Sequence, residues 1–415
     1  MATDTTGIPV FDSRPRGRAM FSSLRNRAYR LFLASQSLST IAVWAQRIAV
    51  DWTLMELTGD ITLVGMLVVL QFGPVLLLGM WGGVLVDRYP TKMLMMASQS
   101  LAFAVCATLA VVALSGALAP WVLFACAGVL GLSAVVDQPA RQVLVGQVVP
   151  GKDLSNAISM NSIVFQVGGM IGPAVSGLLL AGPGASAAFL VAAALHLVAL
   201  VSMGVLFATA TLIPRAKGAR GRGQIVAALR YAASKPEIHV TLTLLVFVCV
   251  VGLNWPVILV SMMTTEFASG PDGYGLANTA LAAGSLLGAL ASLRRVHRGL
   301  RTVILSVSVM CFLRLLCGFA PAEWTFLLAV GSTGVGLILM WTAANSLLQW
   351  SSNTGIRGRI MSLYLMIAVG GQALGGPLLG WGCATVGPRA TLVISAAIPL
   401  LAAGVLTLLQ LRRTR

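Results

Sequence analysis

Four groups of residues in this 415-residue sequence have the types and spacing to do chemistry. In TIAVWAQRIAVDW, Arg47 and Asp51 stand at i,i+4 inside an apolar run, so they share one helix face. An ionisable pair in such surroundings is costly and faces a cavity or its own partner. Two readings are open: a structural ion pair, or a proton-carrying carboxylate at Asp51 whose proton affinity Arg47 tunes. Asp137 and Arg141 repeat the i,i+4 spacing near the end of another apolar run. In GGVLVDRYPTK, Gly83, Asp87, Arg88 and Lys92 form a short polar joint between two runs, where the dipole of a helix N-terminus would stabilise Asp87. The fourth group, GQVVPGKD from Gly146 to Asp153, approximates a phosphate-binding loop. It places Asp153 where Ser or Thr must hold magnesium, has Pro150 within the loop, and follows no strand. No catalytic triad or metal-ligand spacing is present, and the six cysteines all fall in or beside apolar runs as small packing residues. The sequence therefore predicts no enzyme, no metal site and no cofactor. What remains is movement of charge, with an ion gradient as the energy source.

The elements that must position these residues are long apolar helices. Hydrophobic residues make up 57% of the chain and charged ones 10%, against roughly 25% charged in soluble domains. The mean hydropathy is +0.90. A spanning helix needs about 20 mostly apolar residues. Candidates run over 31–55, 61–86, 93–115, 121–145, 158–181 and 185–207, then 240–263, 276–293, 303–319, 324–348, 360–381 and 390–411. Their length, and their richness in Leu, Ala and Gly, argue against strands. The expected fold class is all-α, twelve spans in two six-helix pseudo-symmetric bundles.

Charge placement sets the expected topology. With a cytoplasmic N-terminus, 25 of the 28 lysines and arginines fall in inner segments; Arg389 falls outside, and Arg47 and Arg314 lie within spans. Shifting the parity by one helix would invert the bias. Outer segments carry Glu56, Asp60, Glu266, Asp272 and Glu323. The net charge of +16 is thus expected to face anionic lipid headgroups in an inner cell membrane rather than nucleic acid, with both termini cytoplasmic. The Arg-rich start is read as leading into a retained first helix, because the following run is longer than a signal peptide's. The expected organisation is a basic arm over 1–30, bundles over 31–207 and 238–411, a cytoplasmic central loop over 208–237 and a tail over 412–415. Within the loop, RAKGARGRG reads as flexible and IVAALRYAASKPEI as a short helix on the inner membrane surface.

The halves repeat. Gly79-x-x-x-Gly83 in the second span matches Gly284-x-x-x-Gly288 in the eighth, and Gly172-Pro173 in the fifth matches Gly376-Pro377 in the eleventh, at offsets of 205 and 204. Small residues at matching places predict close helix contacts in both halves.

GGVLVDRYPTK resembles the loop signature of the major facilitator superfamily, with Gly83, Asp87, Arg88 and Lys92 matching and Pro90 and Thr91 departing. DQPARQVLVGQVVP from Asp137, LSNAISMNSIVFQVGGMIGPAVSGLLL, GYGL, WTAANSLLQ and RGRIMSLYLM then come in order. Together they are similar to the drug and siderophore exporter branch, which includes enterobactin exporters and macrolide or multidrug efflux proteins. The resemblance runs from about Arg27 to the last span.

That resemblance implies proton-coupled export of small amphipathic molecules by alternating access, with lysophospholipid translocation on the same fold as the alternative. It implies a cytoplasmic gate in which Asp87, Arg88 and Lys92 meet the start of the eleventh span, at Asn353 to Arg359. Asp137 would pair there with Arg88 or Lys92; an intrahelical pair with Arg141 is equally open. The superfamily lines its central cavity with spans one, four, seven and ten, which makes Trp44, Gln46, Asn254, Trp255, Trp341 and Asn345 cavity candidates. Gln166 and Gln372 join them from the neighbouring fifth and eleventh spans. Gly172-Pro173 with Gly168, Ser176 and Gly177 resembles the helix-five element of antiporters, although Ser159 replaces its upstream glycine. A plain packing kink explains these residues equally well, and Gly376 and Pro377 are the matching packing and kink residues of the eleventh span. Helix one departs from the branch, which has a neutral residue at position 47 and proline at 51. Arg314 is expected to snorkel or line a packed groove, and His196 to pack. The expected partners are a small-molecule substrate and membrane lipids, and the chain is expected to act as a monomer.

Overall fold

The computed structural model describes residues 22–150, 153–213, 224–292 and 299–413. Arg14, Arg16, Arg18, Gly151, Lys152, the RAKGARGRG stretch, Arg294, Arg295, Arg298 and Arg415 lie outside the described residues. After a turn of 3-10 helix at Ser22–Arg25 come α1 Arg27–Thr58, α2 Ile61–Arg88, α3 Thr91–Leu114, α4 Pro120–Val148, α5 Leu154–Ala181 and α6 Ala185–Thr209. The second half contains α7 Gln224–Ser234, α8 Pro236–Phe247, α9 Trp255–Ser261, α10 Pro271–Ser292, α11 Leu300–Gly318, α12 Glu323–Ser351, α13 Thr354–Val386 and α14 Pro388–Arg413. The described residues contain no strand.

Eleven segments among the described residues are long and apolar enough to cross a membrane. The segment missing from that set is α1, although it is 32 residues long. Its polar residues lower its hydropathy, and Ser35, Gln36, Ser39, Thr40, Gln46, Asp51 and Thr53 are all buried. They are covered by protein, so α1 can cross the bilayer without presenting them to lipid. The protein is a multi-pass membrane protein. The end of the molecule that carries the α2–α3 turn is termed the inner end, in keeping with the charge pattern, and the opposite end the outer.

Two spans differ from their sequence reading. The run over 240–263 reads as one helix but is broken: Val248–Gly252 is π-helical, α9 restarts at Trp255 with Pro256 in its first turn, and Met262–Glu266 is π-helical again. Proline has no N–H and is favoured at the first turn of a helix, so Asn254-Trp255-Pro256 reads as a restart. The expected single surface helix over 225–238 is likewise split. It ends at Ser234, and Pro236 opens α8 in the same way. The Tyr231 hydroxyl lies 3.3 Å from the backbone N–H of Asn353, which donates to it, and so fastens α7 to the α12–α13 turn.

Packing mirrors the internal repeat. α1 packs against α5 and α6, α2 against α4, and in the second half α10 against α12 and α11 against α14. The expected Gly79-x-x-x-Gly83 contact does not form, since a Cβ at Gly83 would meet nothing within 4 Å. Gly82 is the tight position instead, pressed on the Val135 carbonyl of α4. Its counterpart does form: Gly284 lies on Gly331, and Gly288 on Val335, of α12. Helix geometry puts a glycine's neighbour on a different face, so the pattern alone did not choose between Gly82 and Gly83.

Candidate transport site and outer seam

The two bundles meet closely in their outer halves. α2 meets α13 where a Cβ at Gly376 would lie 2.6 Å from the Gly65 carbonyl oxygen. α5 meets α10 where a Cβ at Gly177 would lie 2.9 Å from Gly275 Cα. Real Cβ atoms do not come so close, so both contacts require glycine. Gly168 and Gly172 serve a different contact, against Thr40 and Trp44 of α1 within the first bundle. Pro173 sits at the crossing, with its carbonyl oxygen 2.7 Å from where a Cβ at Gly275 would stand, and Pro377 flanks the Gly65 contact.

Asp51 lies beside this seam and is 1% exposed. Gln71 Nε2 of α2 lies 3.4 Å from Asp51 Oδ1, to which it donates. From the other bundle, the Tyr274 hydroxyl of α10 donates to Asp51 Oδ2 at 3.2 Å. The Tyr274 ring is stacked on Trp52 at 6.0 Å between centroids. Of its two donors, Tyr274 is in place only while the bundles are together.

Arg47 forms no ion pair with Asp51, which removes the structural-ion-pair reading. Its guanidinium lies over Phe72 at 4.7 Å and Trp44 at 5.6 Å, an arrangement in which ring quadrupoles stabilise the cation. Asp51 remains within electrostatic reach. Phe72 lies at helical spacing from Gly65, Val68 and Leu76, the α2 residues that meet α13.

At the inner end, Asp137 resolves onto its own helix. Arg141 Nε lies 2.6 Å from Asp137 Oδ2, and the same guanidinium reaches Gln36 and, at 3.2 Å, Ser39 Oγ. Asp137 does not pair with Arg88 or Lys92. The cluster ties α4 to α1, a function its sequence spacing could not show. Asp87 and Arg88 are exposed at the end of α2, and Lys92 lies over Phe207 at 5.9 Å.

The cavity candidates do not form one group. Trp44 and Gln166 are half-buried, and Trp44 meets Phe165 edge-on at 5.8 Å. Trp341 meets Tyr364 edge-on at 5.3 Å, and Gln349 donates to Asn345 at 2.5 Å. Gln372 donates to the Ala368 carbonyl of its own helix at 3.3 Å. Gln46 and Asn254 are buried, and Asn254 stands where Gly375 of α13 has no room for a side chain. Trp255 turns away into the second bundle, beneath Arg314 at 4.3 Å from its ring centroid. Arg314 itself does not snorkel. It is 0% exposed, donates to Ser395 Oγ at 3.2 Å from Nε, and leaves Nη1 without a hydrogen bond. Burial of so long a side chain is possible here because Trp255 and Ser395 meet it from both flanking elements.

A family model for transmembrane secretion effectors matches residues 18–415. The chain belongs to this family of major facilitator superfamily transporters. Among similar proteins of this superfamily is a staphyloferrin A transporter of Staphylococcus aureus (strain NCTC 8325 / PS 47), 24% identical over 345 residues, covering 81% of this chain and 85% of that protein. Another is the enterobactin exporter EntS of Shigella boydii serotype 4, 27% identical over 410 residues, covering 94% and 93%. Solved structures share the superfamily fold. A POT family transporter in complex with a thioalcohol-conjugated peptide aligns with TM-score 0.73 at 11% identity, covering 94% of this chain and 97% of that one. An inward-facing bacterial homologue of the human lysosomal transporter Spinster aligns with TM-score 0.71 at 13% identity, covering 92% and 96%.

Sequence reasoning missed Tyr274, Gln71, Gln36 and Ser39 as partners of the charged residues. Tyr274 lay in view in GYGL, but its partner Asp51 is 223 positions away, and nothing local encodes that pairing. Gln36 and Ser39 had a signal: polar residues at helical spacing along an otherwise apolar span call for a protein partner.

Proposed function

We propose that this transporter is a proton-coupled exporter of small amphipathic molecules, of the siderophore or drug type, working by alternating access. The observation that carries the reading is Asp51, a buried carboxyl held across the outer seam between the two bundles. Closing the seam takes Asp51 out of water, and a bare carboxylate is costly to bury. Protonation therefore favours the outer-closed state, and loss of the proton favours opening. An exporter needs this order: a proton bound from outside returns the empty carrier, and substrate leaves on the deprotonated leg. Rocking of one bundle on the other would part the Gly65–Gly376 and Gly177–Gly275 contacts. The relatives named for staphyloferrin A and enterobactin support the substrate class, and the basic inner segments support a cytoplasmic face for loading.

Everted membrane vesicles test the reading. A panel of siderophores and efflux substrates is offered outside, with a pH gradient acid inside. Gradient-dependent accumulation of at least one compound is expected, and Asp51→Asn should abolish the gradient dependence. Accumulation that ignores the gradient in the unaltered protein, or survives in Asp51→Asn, refutes the coupling. Flux of headgroup-labelled lysolipid without a gradient would replace the substrate class with lipid.

A further inference from the structure

We infer that Tyr274 is the positioning residue that transmits the protonation of Asp51 to the outer seam. The inference deepens the proton-coupling reading and rests on it. Asp51 has two polar partners among the described residues, and they differ in kind. Gln71 stands on α2, in the same bundle as Asp51, so the two need not separate when the bundles move. Tyr274 stands on α10, in the opposite bundle, and must leave when α10 parts from α1 and α5. Its hydroxyl is thus the contact through which the state of the carboxyl reaches the other half. The groups facing Asp51 are Arg47 on its own helix, Gln71 on α2 and Tyr274 on α10, and Tyr274 alone of these belongs to the second bundle.

The chemistry of a phenol suits the task. A hydroxyl donates and accepts, so Tyr274 can donate to the carboxylate or accept from the carboxylic acid, and the seam can close on either form with different strength. The residue is 0% exposed, so water does not substitute for the bond while the seam is closed. Its position is fixed independently of the hydroxyl. The ring stacks on Trp52, and Asn278 Nδ2, one turn along α10, donates to the Tyr274 carbonyl at 3.0 Å. Ring packing and hydroxyl chemistry can therefore be separated by a single atom.

The experiment uses the full chain in lipid vesicles and two readouts. Spin labels at Leu57→Cys and Thr385→Cys, both exposed at outer helix ends, report seam opening by double electron–electron resonance across a pH series. Infrared difference spectra across the same series report the carboxyl C=O stretch, assigned to Asp51 by its loss in Asp51→Asn. Tyr274→Phe keeps the ring and removes the hydroxyl. It is expected to move the Asp51 carbonyl band to higher frequency and to steepen the pH response of the seam, with the open-to-closed ratio at alkaline pH raised at least fivefold, because the closed seam loses the donor that partly offsets burial of the carboxylate. Gln71→Leu also removes a hydrogen bond from Asp51 but is expected to leave the seam response in place. A purely packing role for Tyr274 predicts no change in either readout for Tyr274→Phe, and that result overturns the inference. So does a seam response lost in Gln71→Leu, which would place the transmission inside the first bundle and which decides the matter even if Tyr274→Phe does not fold. The two failures are distinguishable. A pH response that persists in Asp51→Asn sinks the proton-coupling reading itself, whereas one abolished by Asp51→Asn but untouched by Tyr274→Phe sinks only the part given to Tyr274.

Discussion

Substituting Gly376 by alanine should open the outer side of the transporter, and the size of the effect can be worked from the structure. The added Cβ would stand 2.6 Å from the Gly65 carbonyl oxygen and 2.7 Å from Val68 Cβ. Carbon atoms in good contact lie about 3.5–4.0 Å apart, so α13 and α2 must part by roughly 1 Å. The nearest obstacle is backbone, which cannot rotate out of the way. Overpacking of this kind costs about 1–3 kcal/mol. On the alternating-access reading proposed above, the cost falls on the outer-closed state alone, because the two helices separate when the outer side opens. The open-to-closed ratio should then rise about 5- to 150-fold. If the closed state holds about 99% of the unaltered molecules, the open fraction would grow from about 1% to between about 5% and 60%. Spin labels at Leu57→Cys and Thr385→Cys would read this as a new long-distance peak. Gly404→Ala is the control: it adds the same methyl to α14, where nothing lies within 4 Å. Distance distributions that are the same in both variants and in the unaltered protein would refute the reasoning, as would an equal shift in the two variants.

Other consequences concern the charged groups within the spans. Arg141→Ala should lower thermal stability by about 1–3 kcal/mol, because Asp137, Gln36 and Ser39 all lose the same donor; Asp137→Asn added to it should recover part of the loss, and a variant as stable as the parent would contradict the role given to the cluster. Arg314→Met should leave stability unchanged or raise it, since replacing a buried charge by an apolar side chain of similar length is often neutral or favourable. Ser395→Ala should instead lower it by about 1–3 kcal/mol by stripping a hydrogen bond from a cation that stays buried. The two melting temperatures, measured by fluorescence-detected gel filtration, would contradict this account if they moved the opposite way.

Much of the fold was legible because its cause is local. Long apolar runs must be helical in lipid, and the Gly172-Pro173 and Gly376-Pro377 pairs mark equivalent places in the two halves. What sequence could not show depended on which helix lies beside which. Whether Asp137 turns to Arg88, Lys92 or Arg141 is a question of rotation and distance, and the structure answers it with the nearest donor on the same helix. The Arg47–Asp51 spacing announced a site, yet the pair itself does not form: two aromatic rings hold the arginine, and a tyrosine from the other bundle holds the aspartate. For Arg314 the sequence left snorkelling and a packed groove both open; the structure gives the packed groove, and its stack on Trp255 depends on the break before α9. That break was written in the sequence, in Asn254-Trp255-Pro256, but hidden in a run apolar enough to pass for a continuous span.

The most direct test is the outer-end distance between Leu57→Cys and Thr385→Cys measured from acid to alkaline pH, with and without Asp51→Asn. The account predicts that the labelled parent is closed at acid pH and gains an open population as pH rises, while Asp51→Asn, which carries a permanently neutral side chain, stays closed throughout. A seam that opens with pH equally well in both proteins would contradict it.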